Sequence, residues 1–272
     1  MVSNTCGGAC TPLRKLRRDI VNASPKPAGK NLNLVAYMRE NGVVFILLCA
    51  AAGITIVLKK LDAKAAIAAI IIGFATWLGT GYTGIALLAA FFIIAMLATS
   101  WKMRTKQQAG LAEHHRGQRT AAQVIANGGV AAILSLLSFA FWQHQPLLLL
   151  MIASSLSSAT ADTVSSELGN VYGRKFYNIT SFKKDIRGLN GVISFEGTMI
   201  GMAGSSLIAL VYTVQTGLAI HWLWIVIAGT TGNLTDSVLG ATLERRHIIS
   251  NDVVNFLNTL TGALAGLMLY YL

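Results

Sequence analysis

Apolar residues run in long uninterrupted blocks along this chain of 272 residues. The blocks lie at about 42–58, 63–79, 82–100, 120–142, 146–168, 190–214, 217–242 and 252–272. They are continuous rather than alternating, which predicts helices and argues against a membrane barrel. A helix needs about 20 residues to cross the hydrocarbon of a bilayer. The first three blocks are short by that measure, and the pattern leaves room among them for a re-entrant or tilted piece. The predicted fold is all-α: a polytopic helical transmembrane bundle of about 7–8 membrane segments.

Between the blocks, positive charge alternates. Lys59, Lys60 and Lys64 mark the first loop; Lys102, Arg104, Lys106, Arg116 and Arg119 the third. Arg174, Lys175, Lys183, Lys184 and Arg187 mark the fifth; Arg245 and Arg246 the seventh. The even-numbered loops, near Gly79–Tyr82, Gln143–Pro146 and Gln215–Gly217, hold no Lys or Arg. Positively charged loops face the cytoplasm or its equivalent, so the odd loops are expected on that side. Eight full crossings would then put the basic N-terminus on the opposite face. Seven crossings, with one early block failing to cross, remove the conflict; so does an arm that is translocated or removed.

Composition narrows the class. The chain is 54% hydrophobic and 12% charged, with net charge +11 and mean hydropathy +0.57. That excludes an ordinary soluble domain. Topology-setting loops account for the positive balance, and no recognition-module signature is present, so no nucleic-acid partner is expected. Residues 1–40 form a basic arm, expected to be disordered or processed, without the apolar core of a signal peptide. Residues 41–272 are expected to form a single transmembrane domain. Cys6, Cys10 and Cys49 make no disulfide framework, and the first two read as free thiols in a loose tail. His114 and His115 sit in a basic loop and read as solvated. Gly197, Gly201 and Gly204 share a helical face, as do Gly262 and Gly266. These faces suit close helix packing and offer a route to oligomers.

The stretch Ser154–Gly169, SSLSSATADTVSSELG, interrupts this picture. It carries Asp162 and Glu167 at the end of a membrane block, among eight hydroxyl side chains. Ionised carboxylates at membrane depth cost about 2.5–3.5 kcal/mol each on insertion, so they are rare and mostly functional. Such a segment spans only if it faces protein or a wet cavity. Other polar residues fall at the same depth: Asn127 early in the fourth block, Asn190 and Glu196 opening the sixth, Asn233, Asp236 and Glu244 closing the seventh. Asp252, Asn255 and Asn258 open the eighth. All lie in the half-membrane under the basic loops, and the opposite half shows no comparable cluster.

Each has a plainer role available. Asn127 can hydrogen-bond a neighbouring helix, Glu167 can be interfacial, and Glu244 can pair with Arg245 or Arg246. Asp252 can complement a helix dipole. Asp162 has no cation within any block, which leaves a metal ion, a proton or a loop cation. Asp236, in GNLTDSVLG, is the least easily explained as structural. Carboxylates and amides converging below basic loops suit Mg²⁺ bound with phosphate oxygens, and hence phosphoryl transfer. No P-loop, kinase glycine loop, G-x-S-x-G elbow or H-E-x-x-H motif occurs. A secondary transporter with an acidic site on the cytoplasmic side is the alternative class, although a transport path requires polar groups on both sides of the midplane.

Four segments carry a more specific likeness: GQRTAAQVIANGG (117–129), SSATADTVSSELG (157–169), LNGVISFEGTMIGMAG (189–204), and GNLTDSVLGATLE with DVVNFLNTLTG (232–262). In this order they resemble the phytyl-phosphate kinase / transmembrane protein 19 family of integral membrane proteins, from about Leu61 onward. One departure is Val164, where the family commonly has an aromatic after the Asp-Thr pair. The resemblance implies a kinase that transfers a phosphoryl group from CTP or another nucleoside triphosphate to an isoprenoid (phytyl or prenyl) monophosphate, giving the diphosphate used in tocopherol supply. It implies a bacterial inner membrane or a plastid or other organelle membrane. The expected site has Asp162, Glu167 and Asp236 as catalytic Mg²⁺ (or Mn²⁺) ligands, with Asn127, Asn190 and Asn255 orienting phosphates. Arg119, Lys183, Lys184 and Arg187 are expected near the nucleotide phosphates, with Glu196 beside them.

Overall fold

A computed structural model of the protein describes residues 34–111 and 117–272. Cys6, Cys10, most of the basic arm, His114, His115 and Arg116 lie outside the described residues. The chain divides into two units, 1–43 and 44–272, and the second carries the site.

The described helices are α1 (Leu34–Val57), α2 (Ala63–Ser100), α3 (Met103–Gln108), α4 (Ala121–Ala140), α5 (Gln145–Tyr172), α6 (Phe195–Thr216), α7 (Ile220–Leu239) and α8 (Asn251–Tyr270). A π-helical turn, Gly240–Glu244, extends α7. A two-stranded hairpin, β1 (Tyr177–Asn178) against β2 (Val192–Ile193), lies between α5 and α6. Among the described residues, six helices are long and apolar enough to cross a membrane. The chain is therefore an integral membrane protein of the all-α, polytopic kind. α7 falls outside that group although it is as long as α4 and α8. Its inward polar residues, His221, Asn233 and Asp236, lower its hydropathy.

The second and third apolar blocks are one 38-residue helical element broken at Gly81 (φ 61°, ψ −144°). That conformation is open to glycine at no steric cost. The chain turns back there: Lys60, before α2 begins, donates from Nζ to Ser100 Oγ at its end (2.7 Å). Ala65 and Ala66 likewise lie with Phe92 in one cluster. Each arm is about 27 Å long at 1.5 Å per residue, close to a hydrocarbon thickness. Both arms are therefore long enough to cross, and the room that block length left for a re-entrant piece is not needed.

α5 is the central helix, in contact with α2, α4, α6, α7 and α8. Ser154, Ser155, Ser157 and Ser158 are fully buried. Glycines of the surrounding helices meet them. A Cβ added at Gly229 would lie 2.3 Å from Ser157 Oγ, and one at Gly266 would lie 2.4 Å from Ser154 Oγ. Gly201 is similarly pressed against Ala161 O and Asn233 Nδ2. Small residues facing small residues let backbones approach closely in a membrane interior. The hydroxyl-rich stretch is thus buried in protein, and the glycine faces serve helix packing.

From mid-bundle toward the opposite end an apolar cluster fills the interior, including Leu87, Phe91, Leu150, Leu156, Ile208 and Ile225. It is not free of polar groups. Tyr212 Oη and His221 Nδ1 lie 3.0 Å apart, both about 1% exposed. This pair was not anticipated from the sequence, which showed no cluster there.

The odd-numbered loops gather at one end. Arg119 N donates to Lys60 O (2.9 Å), and Asp62 N to Arg119 O (3.2 Å). Gly188 lies against Leu111, and Gly191 against Ala241. Arg245 joins the hairpin through Asp185 (2.8 Å) and the Asn190 carbonyl (2.6 Å).

Candidate active site

Beneath these loops is a cavity of about 480 Å³, walled by α4, α5, α6, α7 and α8 and roofed by Gly188–Ser194. The elements that build it end here for local reasons. Thr120 caps α4 with a reciprocal Gln123 capping box, and Ser194 caps α6 by accepting from Gly197 N (3.1 Å). Both side chains satisfy N–H groups that a helix start leaves open.

Asp162 of α5 and Asp236 of α7 both line the cavity. Their carboxyl groups are close enough to interact, with the Glu244 carboxylate nearby. Asn258 Nδ2 also reaches Asp236 Oδ2 (3.5 Å), and Ser158 Oγ bonds Asn258 Oδ1 in turn. Ser165 Oγ links Asp162 O and Asn233 Oδ1, each at 3.0 Å. Asn255 lines the wall at 8% exposure. Asn127, 7% exposed, uses Nδ2 on Gln123 O (3.0 Å), while its Oδ1 is buried with no hydrogen-bond partner. Arg119 reaches the cavity with its guanidinium 5.8 Å from the Phe91 ring centre. Asn190 lines the roof.

Glu167 lines the cavity but is ion-paired with Lys106, a buried lysine of the third loop. Glu167, for which the sequence offered a plain interfacial role, has a loop cation as its partner. Among the described residues no three His, Cys, Asp or Glu side chains converge to hold one ion. Asp162, Glu167 and Asp236 therefore border one cavity without meeting at one point.

Lys183, Lys184, Arg187 and Glu196 are not among the described residues lining this cavity. Lys183 and Lys184 are exposed and pair back with β1, Lys183 O accepting from Asn178 N (2.9 Å). Glu196 accepts from Arg174 N (3.4 Å). Within the hairpin, the Asp185 carboxyl is held below the usual carboxylate range. Its bond from Ile186 N–H contributes most, followed by its bond with Arg245. Lys106 is the residue that sequence reading passed over: nothing in the loop distinguishes it from Lys102 or Arg104.

An acidic, amide-lined cavity at the basic end of a helical membrane bundle places the protein among polytopic integral membrane proteins with a polar site at one interface. The chain belongs to the DUF92 integral membrane protein family, which matches residues 46–263. It is 34% identical over 237 residues to Protein VTE6, chloroplastic, of Arabidopsis thaliana, covering 85% of this chain and 70% of that one. It is 32% identical over 233 residues to an uncharacterized membrane protein of Methanocaldococcus jannaschii, covering 84% and 93%. Protein PGR of Arabidopsis thaliana is 26% identical over 210 residues, covering 68% and 73%. No solved structure matches. These matches bear out the resemblance to the phytyl-phosphate kinase / transmembrane protein 19 family.

Proposed function

We propose that this protein is a membrane-embedded kinase that transfers a phosphoryl group from a nucleoside triphosphate, CTP by preference, to an isoprenoid monophosphate. The observation that carries this reading is a cavity under basic loops that brings the Asp162 and Asp236 carboxyl groups together and shares its wall with the unpartnered Asn127 oxygen. Like charges brought together in this way repel, so a cation between two neighbouring carboxylates is favoured. Oxygen donors of this kind fit Mg²⁺ or Mn²⁺, which uses one or two carboxylates and fills its shell with water and phosphate oxygens. Asp162 and Asp236 would hold the ion, with Asn127 Oδ1 as a further oxygen. When bound, the ion supplies charge neutralisation on the phosphates.

The chain's own groups do the rest. Arg119 binds the nucleotide phosphates, and Asn190 and Asn255 orient them beneath the roof. The N-terminus of α6, capped by Ser194, adds backbone dipoles that favour an anion. The isoprenoid tail lies among the helices in hydrocarbon, which keeps its phosphate at cavity depth. An oxygen of the acceptor phosphate forms a bond to the γ-phosphorus. The bond from that phosphorus to the β–γ bridging oxygen breaks, and the nucleoside diphosphate leaves with the electron pair. The acceptor oxygen is largely ionised at neutral pH, so positioning and charge stabilisation suffice without a strong base.

The test is a phosphorylation assay of purified protein with short and long isoprenyl monophosphates and each nucleoside triphosphate. Formation of the diphosphate, dependent on Mg²⁺ or Mn²⁺, is expected. Absence of transfer with every pair, combined with ion or metabolite uptake into proteoliposomes, would replace this reading with a transporter.

A further inference from the structure

Lys106 sits on the six-residue helix α3 at 2% exposure. Its Nζ donates to Thr99 O (2.7 Å), to Ala98 O (3.2 Å) and to Glu167 Oε2. An ammonium has three N–H donors, and all three are used. The two carbonyls belong to the end of α2, where the last C=O groups lack helical partners. The lysine thus ties the end of α2 to the central helix, and Leu111 N returns to Lys106 O (2.9 Å). Thr99, Leu111 and Glu167 all line the cavity. Lysine is almost never this buried unless its charge is compensated.

We propose that Lys106 is a positioning residue of this site: it neutralises Glu167 and keeps that carboxylate out of the Asp162–Asp236 centre. The inference rests on the reading of that centre as a divalent-cation site. Glu167 lies five residues beyond Asp162, about 7.5 Å along the helix axis. At that range in a low dielectric, an uncompensated charge would act strongly on a bound cation and on an incoming polyanion. Pairing with Lys106 removes that charge while leaving the side chain in the wall. The centre then carries two carboxylates, enough for an ion that must also accept phosphate oxygens.

Mn²⁺ alone is the probe, titrated by electron paramagnetic resonance into the purified full-length protein. Lys106→Met releases the Glu167 charge, and Mn²⁺ should bind about fivefold tighter or more. Adding Glu167→Gln should return the dissociation constant to within about twofold of wild type. Lys106→Arg should bind Mn²⁺ as wild type does. If Lys106→Met fails to fold, Glu167→Gln alone gives the opposite sign: the lysine charge is left uncompensated and Mn²⁺ should bind more weakly. Thermal unfolding should show each single variant destabilised and the double variant less so than their sum. Unchanged Mn²⁺ affinity in folded Lys106→Met, or no reversal in the double variant, overturns the inference while the kinase reading stands. Wild-type protein that binds Mn²⁺ with this pattern but transfers no phosphoryl group overturns the kinase reading and leaves the role of Lys106 intact. Wild-type protein that binds no Mn²⁺ overturns the inference together with the metal site.

Discussion

The two ends of the bundle bury polar groups in opposite ways. At the end away from the basic loops, Tyr212 and His221 satisfy each other, and the His221 ring stacks on Trp224 at 4.8 Å. Ser138 and Gln145 likewise both donate to Gly79 O there. Groups closed on one another in this way join α6 to α7, and α4 and α5 to α2. At the basic end the polar groups surround space. The Asp162 and Asp236 carboxyl groups lie close enough to interact, and Asn127 leaves an oxygen unbonded. Ser154, Ser155 and Ser205 also have unbonded hydroxyls, but they lie in close-packed helix contacts. What distinguishes Asn127 is its place on a cavity wall. Leaving a buried polar group unpaired costs about 1–3 kcal/mol, so a cluster that keeps such groups beside open volume points to a ligand.

The comparison breaks most visibly in turnover. Asp162→Asn and Asp236→Asn should each lower phosphoryl transfer about a hundredfold or more, with normal gel-filtration and unfolding profiles. His221→Phe, at the other end, should stay within about threefold of wild type. Near-normal turnover in both aspartate variants would erase the distinction between the ends.

Stability should show the reverse ranking. His221→Leu leaves the Tyr212 hydroxyl buried without its partner, at a cost of about 1–3 kcal/mol. Thermal unfolding in detergent measures this, and adding Tyr212→Phe should recover part of the loss. A His221→Leu variant as stable as wild type but inactive would mean that the far end carries function.

A smaller effect is expected at the hairpin turn. Neutralising Lys183, Lys184 and Arg187 together should raise the nucleotide KM by about threefold, with kcat unchanged. The rise should shrink at high salt, because exposed charges are screened beyond about 10 Å at 0.1 M. A large kcat loss would place these cations inside the site instead.

The smallest effect concerns the roof. The folded-state pKa of Asp185 is depressed, so its contribution is present above the unfolded carboxylate range and is lost as pH falls through the folded value. Hydrogen exchange of residues 177–193 should speed up as pH drops below about 4, after correction for intrinsic rates. In Asp185→Asn that added component should be missing. An identical pH dependence in both proteins would show that the Asp185–Arg245 tie does not hold the roof.

Much of this organisation was legible in the chain. Continuous apolar blocks, the alternation of basic loops and the hydroxyls around Asp162 determine a helical membrane bundle with polar residues under one set of loops. Periodicity, charge and insertion cost act locally, so a linear pattern records them. Four recurring polar motifs likewise pointed to the family. Other features depend on which helices meet. Gly81 turns two blocks into a hairpin, but a lone glycine in an apolar run carries no sign of that. Block length alone therefore could not decide between crossing and re-entrant early segments. Tyr212 and His221 look unrelated until α6 and α7 fold together. Lys106 shares its loop with other cations, and only the approach of α5 makes it the partner of Glu167. Lys183 and Lys184 are exposed and do not line the cavity, a placement that their loop in the sequence does not reveal. Burial, ion pairing and cavity volume arise from contacts between residues far apart in sequence, and these the tertiary structure alone decides.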